Sequence, residues 1–333
     1  MRIGFACKWI DKPNQVNGIN AKDDAKQYTT GGTTVSWLNR QKKEIAEQKL
    51  WDLMINNIKS TERLIKRVGE QDELYKFVRI SSDILPVFTE RNWNYFWQLP
   101  DVRNTAEKLF SDIGDCARNL GVRLSMHPGQ FCVLASDNQE IVERSLAEFE
   151  YHATMARWMG YGKQFQDFKI NIHISGRQGS EGIRKILPRM STEARNTITV
   201  ENEENAHGLD ATLDLFDCVP TVLDIHHHWV REGEYIQPND KRIQKIIESW
   251  RGRRPVIHYS TSREDVLLNH NPHQLPDHKI LLESGIKRQK LRAHSDFYWN
   301  NAANEWALSF LDQFDIMCES KGKNLSSFKL TPT

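Results

Sequence analysis

Two hydrophobic rhythms alternate along the chain. Short runs dominated by apolar or β-branched residues occur eight times: RIGFA at 2–6, KFVRISS at 76–82, RLSMH at 123–127, FKINIHIS at 168–175, TITVEN at 197–202, TVLDIHH at 221–227, PVIHYS at 255–260 and FDIMCES at 314–320. Between them apolar residues recur at steps of three and four over Trp37–Val68, Val102–Leu120, Ile141–Met159, Arg242–Trp250 and Ala302–Phe314, which aligns one face of a helix. DNQE at 137–140 reads as a capping box opening the third of these helices. Strand followed by helix, eight times over, predicts an α/β fold, a single (β/α)8 TIM barrel spanning 1–333 as one domain. A doubly wound open sheet is the alternative, weakened by the lack of a Gly-rich phosphate turn after the first run. Two segments break the rhythm, 11–36 and 261–293. Both are predicted as long loops on the C-terminal face, where long loops are commonly functional.

The downstream ends of the runs carry the chemistry. His127, His173, Glu201, Asp224, His258 and Glu319 close successive apolar runs, and His227 lies three residues past Asp224. In a parallel barrel those ends surround the mouth where active sites sit. Imidazoles mixed with carboxylates suit Zn²⁺, Mn²⁺ or Fe²⁺ better than Ca²⁺. A lone His at a strand end is more often a hydrogen-bonded structural residue. Several acids buried together, however, are costly without a cation. Alternation along a strand keeps His226, His227 and His228 from sharing one metal. His227 is therefore read as a ligand on the turn after Asp224, with His228 behind it and His226 facing away. His152 and His207 are read as structural.

Composition narrows the partners. Lys+Arg number 45 against 44 Asp+Glu, a net charge of +1, so any nucleic-acid contact needs a local patch. Mean hydropathy is −0.62 and no run approaches membrane-spanning length. Five cysteines (Cys7, Cys116, Cys132, Cys218, Cys318) lack CxxC spacing. They read as free thiols in a reducing cytoplasm. Nothing marks an oligomer, and a monomer is expected.

RISSD at 79–83, SMHPGQF at 125–131, HISG at 173–176, VEN at 200–202, DIHHHW at 224–229, WRGR at 250–253, IHYS at 257–260, HSD at 294–296 and MCESKGK at 317–323 together resemble the UV damage endonuclease family, relatives of the endonuclease IV-like barrels. The resemblance implies a metal centre of up to three divalent ions, manganese by family habit with zinc or cobalt as alternatives. It implies incision of damaged double-stranded DNA just 5′ of a UV photoproduct or abasic site, leaving 3′-hydroxyl and 5′-phosphate. By the same carry-over Glu201 bridges two metals, with His127 and His173 completing one pocket. Asp224, His258 and Glu319 form the second, and His227 and His294 the third, with Asp296 as a further candidate. Gln130 and Phe131 match a pair inserted at the lesion; core packing is the alternative for Phe131.

Departures from the family pattern stand beside this. A metal-bridging lysine expected two residues before His258 is replaced by Val256, and Phe5 and Trp9 stand where some relatives place Tyr and Asn. Aromatic wedging is expected to survive at those two positions. Candidate phosphate contacts are Lys8, Lys12, Arg177, Arg251, Arg253, Arg254 and the basic run Lys287–Arg292. Trp9, Trp93 and Trp97 could line a groove, though the spacing of Trp93 and Trp97 suits one face of a core helix. Two rival readings remain. One is a single-metal sugar isomerase or epimerase using Glu201, Asp224, His258 and Glu319. The other is a metal-free DNA-binding module.

Overall fold

The computed structural model describes residues 1–11 and 25–332. Eight strands, β1 Ile3–Ala6, β2 Phe77–Arg79, β3 Arg123–Met126, β4 Lys169–His173, β5 Ile198–Glu201, β6 Thr221–Asp224, β7 Val256–Tyr259 and β8 Asp315–Cys318, pair in sequence order. All pairs are parallel, and β8 closes on β1. This is the barrel expected from the alternating rhythms. The strands are shorter than the apolar runs that announced them, because the last residues of several runs leave the ladder to form the mouth.

The outer layer includes α1 Lys43–Gly69, α2 Pro100–Asn119, α3 Gln139–Trp158, α4 Gly179–Ile186, α5 Leu209–Leu213, α6 Ile225–Glu232, α7 Lys241–Ser249 and α8 Asn301–Leu308. The capping signal before α3 lies one residue further on than DNQE suggests. Asn138 is the cap, accepting from the Glu140 and Ile141 amides, while Asp137 pairs with Arg177 at 3.1 Å. The segment expected as Trp37–Val68 divides into a short turn at Val35–Leu38 and the long helix α1.

Strand alternation sorts the side chains. Along β4, Ile170 and Ile172 join the apolar cluster shared with the helices. Lys169 instead reaches across the barrel to His258 on β7, and Asn171 reaches Glu201 on the neighbouring β5. Thr199 and Glu201 repeat this parity on β5. The barrel axis is thus polar toward its mouth and the apolar mass lies in the shell, which positions ligand-type residues around one cavity. The turn after β4 must run close under the loop after β3. Gly176, at φ +94°, meets the Ala135 backbone where a Cβ would stand, so only glycine fits.

Of the insert at 11–36, residues 12–24, and with them Lys12, lie outside the described residues. The insert at 261–293 returns across the mouth through a bridge between Ser262 and His294. Among the described residues, no helix is long and apolar enough to cross a membrane.

Candidate metal centre

Glu201, fully buried at the end of β5, is the hub. Its Oε2 lies 3.4 Å from His127 Nε2 and 3.0 Å from His258 Nδ1, and its Oε1 lies 3.6 Å from His227 Nδ1. Register places His173 beside Glu201 and Asp224 beside His258 on adjacent strands. Two groups of ligand atoms each fit within 4.8 Å, His127–His173–Glu201 and Glu201–Asp224–His258, with Glu201 in both. Glu319, one residue past β8, brings Oε1 to 3.4 Å from His258 Nδ1 and pairs with Arg79 from the end of β2. His294 sits with its ring 6.3 Å from that of His227.

The histidines are set for ligation by what holds their other nitrogens. His127 Nδ1 donates to the Pro128 carbonyl at 2.8 Å, leaving Nε2 for the cavity. His294 Nδ1 donates to the Glu319 carbonyl at 3.1 Å. Lys169 Nζ lies 3.1 Å from His258 Nε2. Burial pushes this lysine down to about 7, and as the free amine it accepts the Nε2 proton, so Nδ1 of that ring faces the acids. His227 is in the first turn of α6, and Asp224 caps that helix by accepting from the His227 amide at 2.6 Å. The HHH run therefore opens a helix instead of continuing a strand. His226 turns to Ser260 and Ser262 at 2.7 and 3.3 Å, and His228 to Glu234 at 2.8 Å; both leave the cluster.

Burial pushes the His127, His173, His258 and His294 imidazoles down. Burial works against the Glu201 charge too, but His258, His173 and His127 outweigh it and hold the carboxyl well below the usual range. Asp224 goes the other way, raised by burial and by the nearby Glu201 and Glu319 charges. His227 resists burial because Asp224, Glu201, Glu204 and Glu319 surround it, and is pushed up to about 9. Glu201 Oε1, Asp224 Oδ2, His173 Nδ1 and His258 Nδ1 are buried without a hydrogen-bond partner among the described residues. Four orphaned ligand-type atoms in one cavity are costly by themselves. A divalent cation would satisfy them, and this donor set fits one.

Other expectations resolve differently. Asp296 is exposed and lies 3.5 Å from Lys321, outside the cluster. Phe5 and Trp9 are buried, with Trp9 under the Arg67 guanidinium. They pack the core, and no aromatic wedge survives there. Trp93 and Trp97 are core residues as well. Arg251, Arg253 and Arg254 precede β7 and so belong to the opposite end of the barrel, where Arg253 and Arg254 line a cavity of about 350 Å³ with Asp315 and Met1. Phe131, in contrast, is 85% exposed, on a loop where Gly129 and Gln130 are exposed too. Core packing is excluded for it.

Sequence reasoning passed over three contributors. Lys169 shares the β4 face of Asn171 and His173, a signal present in the two-residue period. Asn171 donates to Glu201 Oε2 and is itself held by Thr199 at 2.8 Å. Glu204, 5% exposed, stands 3.7 Å from His227 Nε2 and binds Arg292 of the insert at 2.7 Å. Its signal was a further acid three residues after Glu201.

Comparison with known proteins identifies the family and the fold. A family model described as UV-endonuclease UvdE matches residues 1–332. A relative from Acanthamoeba polyphaga mimivirus is 31% identical over 274 residues, 77% of this chain and 72% of its own. The "UV DNA damage endonuclease" of Bacillus cereus (strain G9842) is 24% identical over 314 residues, 89% of this chain and 86% of its own. The crystal structure of SacUVDE superposes with a TM-score of 0.68 at 21% identity, covering 99% of this chain and 96% of that one. The chain belongs to the UV-endonuclease UvdE family.

Proposed function

From membership in an endonuclease family that acts on damaged DNA, we propose that this chain, as one barrel domain, hydrolyses the phosphodiester backbone immediately 5′ of a UV photoproduct. The cut leaves 3′-hydroxyl and 5′-phosphate and depends on divalent metal, with manganese as the fitting ion. Abasic sites are proposed as secondary substrates. The carrying observation is the pair of ligand groups that share Glu201, buried with unsatisfied atoms. His127 and His173 would hold one ion with Glu201, and Asp224, His258 and Glu319 a second. His227 and His294 would hold a third. Clustered divalent ions supply a nucleophile at neutral pH and neutralise charge on attacked and leaving oxygens. Glu201 and Glu319 are anionic and need no deprotonation to take part. Arg79 orients Glu319 and limits the negative charge facing an incoming phosphate.

Lesion choice is assigned to Gln130 and Phe131. A dimer or abasic site has already lost normal stacking, so kinking and extrusion cost less there than in intact duplex. Phe131, free in solvent, can fill the vacated space as an apolar wedge, and Gln130 can hydrogen-bond the orphaned bases. A single-metal isomerase would leave His127, His173, His227 and His294 without work, although all four crowd the same cavity. The test is incubation with Mn²⁺ and an end-labelled duplex, irradiated or intact. Nicks confined to irradiated DNA are expected. Sugar turnover without nicking, or retention of DNA without cutting, would overturn the proposal.

A further inference from the structure

Beside the ligand cluster, on the β8–β1–β2 side of the mouth, stands a basic group that plays no part in metal holding. Lys323, in the loop after Glu319, has no hydrogen-bond or ion-pair partner for its ammonium among the described residues. It is half-buried, and Arg79, Lys8 and Glu319 are close enough for their charges to act on it. The arrangement is built. Asn324 clamps the Ile10 backbone at both atoms, accepting from its amide at 2.7 Å and donating to its carbonyl at 3.0 Å. The Cys7 amide donates to the Arg79 carbonyl at 2.7 Å. Chain ends from three strands are thus stitched around Lys8, Arg79 and Lys323.

The backbone of Lys323 is the second observation. It sits at φ +52°, ψ −130°, a region that glycine enters freely and a side chain strains against. Glycine is present next door, at Gly322, where φ is not in the left-handed range. Cys7, facing it, is also left-handed, at φ +72°. A strained residue persists when the surroundings hold it there, and such residues gather at ligand-binding sites. A lysine where glycine fits better, with its charge unpaired and partly open to solvent, marks a side chain awaiting an anion.

We infer that Lys323, supported by Lys8 and Arg79, forms a subsite for a backbone phosphate of the DNA, next to the metal cavity and separate from its ligands. The inference rests on the nuclease reading for the identity of the anion as a phosphodiester. Metal ions neutralise the reacting phosphate; this subsite would take a neighbouring one and fix the register of the strand. Lysine suits that task as a point charge with rotatable donors.

The experiment compares wild type with Lys323→Gly and Lys323→Arg, as purified, with metal content measured in the same samples. The probe is an undamaged duplex of fixed length titrated across salt concentrations. Lys323→Gly should keep or raise Tm, because the strain goes, and should keep the wild-type metal-to-protein ratio. Its duplex affinity should fall about tenfold, and the slope of log affinity against log salt should drop by about one, the signature of one lost phosphate contact. Lys323→Arg should restore the slope. Unchanged affinity and slope in Lys323→Gly would overturn the subsite. Loss of metal with an unchanged slope would also overturn it, showing that Lys323 acts through Glu319. If the wild type proves unable to nick irradiated DNA while the lysine-dependent slope persists, the nuclease reading fails and the phosphate subsite stands.

Discussion

Asp315 and Glu201 are strand acids sealed from solvent at opposite ends of one barrel, 2% and 0% exposed. Asp315 opens β8 on the floor, where Arg123 donates to it at 2.6 Å and Arg254 at 2.7 Å. Both its oxygens are satisfied and its charge is matched within the chain. Glu201 closes β5 at the mouth among imidazoles, with one oxygen left without a partner. Asp224 and Glu319 stand near it, and the Arg79 guanidinium is engaged by Glu319. The same residue class at the same burial thus has two physical meanings. The floor acid is a finished ion network that holds the barrel's lower rim, and the mouth acid keeps an unsatisfied oxygen that the proposed cation would complete. In barrels of this kind the lower face serves stability and the upper face chemistry.

The contrast is sharpest if each acid is neutralised in turn. Glu201→Gln should abolish incision of irradiated duplex and lower the metal-to-protein ratio by at least one equivalent, read by elemental analysis, while the protein stays folded. In the apo protein Glu201 has a counter-charge in the raised His227 imidazole at 3.6 Å, while Asp224 and Glu319 repel it. Apo Tm should therefore fall only modestly, and by less than the loss at Asp315. Asp315→Asn should reverse that balance. It strands the buried Arg123 guanidinium and should cost about 3 kcal/mol in denaturant unfolding, the low end for a broken buried pair because Arg254 keeps some solvent. Its folded fraction should bind metal like wild type. Metal loss in Asp315→Asn, or a large stability loss in apo Glu201→Gln, would erase the distinction between the two ends.

Much of the mouth was legible because alternation and polarity coincide there. A run such as TITVE is apolar or β-branched until its last residue, and in a parallel sheet that residue has only one place to go. The floor was legible by the same logic, yet Arg251, Arg253 and Arg254 were grouped with phosphate contacts. Residues that precede a strand enter at the bottom, and charge alone does not report the end. At the HHH run the placement of His227 past Asp224 agrees with the structure, but the reason is helical and not strand alternation. Asp224 is both the last strand residue and a helix cap that moves the next three residues into a helical turn. His294 depends on a returning insert, which no local period encodes, and it was reached only through the family resemblance. Lys169 was hidden by habit, since a lysine at the start of an apolar run reads as a solvated flank. Its neighbours at two-residue steps, Asn171 and His173, point into the barrel.

Lys169 gives a smaller version of the same comparison. Val256 stands where the family resemblance implies a lysine, and in this chain a buried lysine comes from β4. With Nζ at 3.1 Å from His258 Nε2, it fixes the ring from behind. Lys169→Met should keep the volume and free the ring, weakening metal binding by about 10- to 100-fold, the usual effect of losing a residue that orients a ligand. Calorimetric titration of the apo protein with Mn²⁺ measures this, and an unchanged affinity would remove the orienting role.

Protons and metal compete at the mouth. In the apo protein His227 is pushed up to about 9 and Asp224 is raised above the ordinary carboxyl range. At neutral pH His227 holds a proton that a cation must displace, and the raised Asp224 carboxyl adds to the competition as pH falls. Metal affinity should therefore rise with pH, by up to about tenfold per pH unit for each proton released, and level off above about pH 9 as His227 loses its proton unaided. Titration in buffers of different ionisation enthalpy counts the protons directly. An affinity flat between pH 7 and 8.5 would mean that His227 is not displaced, and would remove it from the ligand set.

The smallest expected effect falls on Phe131, and its smallness is informative. The ring is in solvent, so Phe131→Ala removes almost no buried surface and should leave Tm and metal content unchanged. In the proposed role its contribution would come only when a lesion opens the stack, and a ring against a base is worth about 1–3 kcal/mol. Some of that is returned when the smaller side chain lets the bases close up. The ratio of nicking on irradiated to intact duplex should accordingly fall about fivefold, with the rate on intact DNA unaltered. Glu201→Gln should remove both rates together, because the cavity serves any backbone presented to it. A Phe131→Ala protein that lost metal, or that slowed equally on both duplexes, would place the ring in the machinery of cleavage and dissolve the separation between a loop that selects and a cluster that cuts.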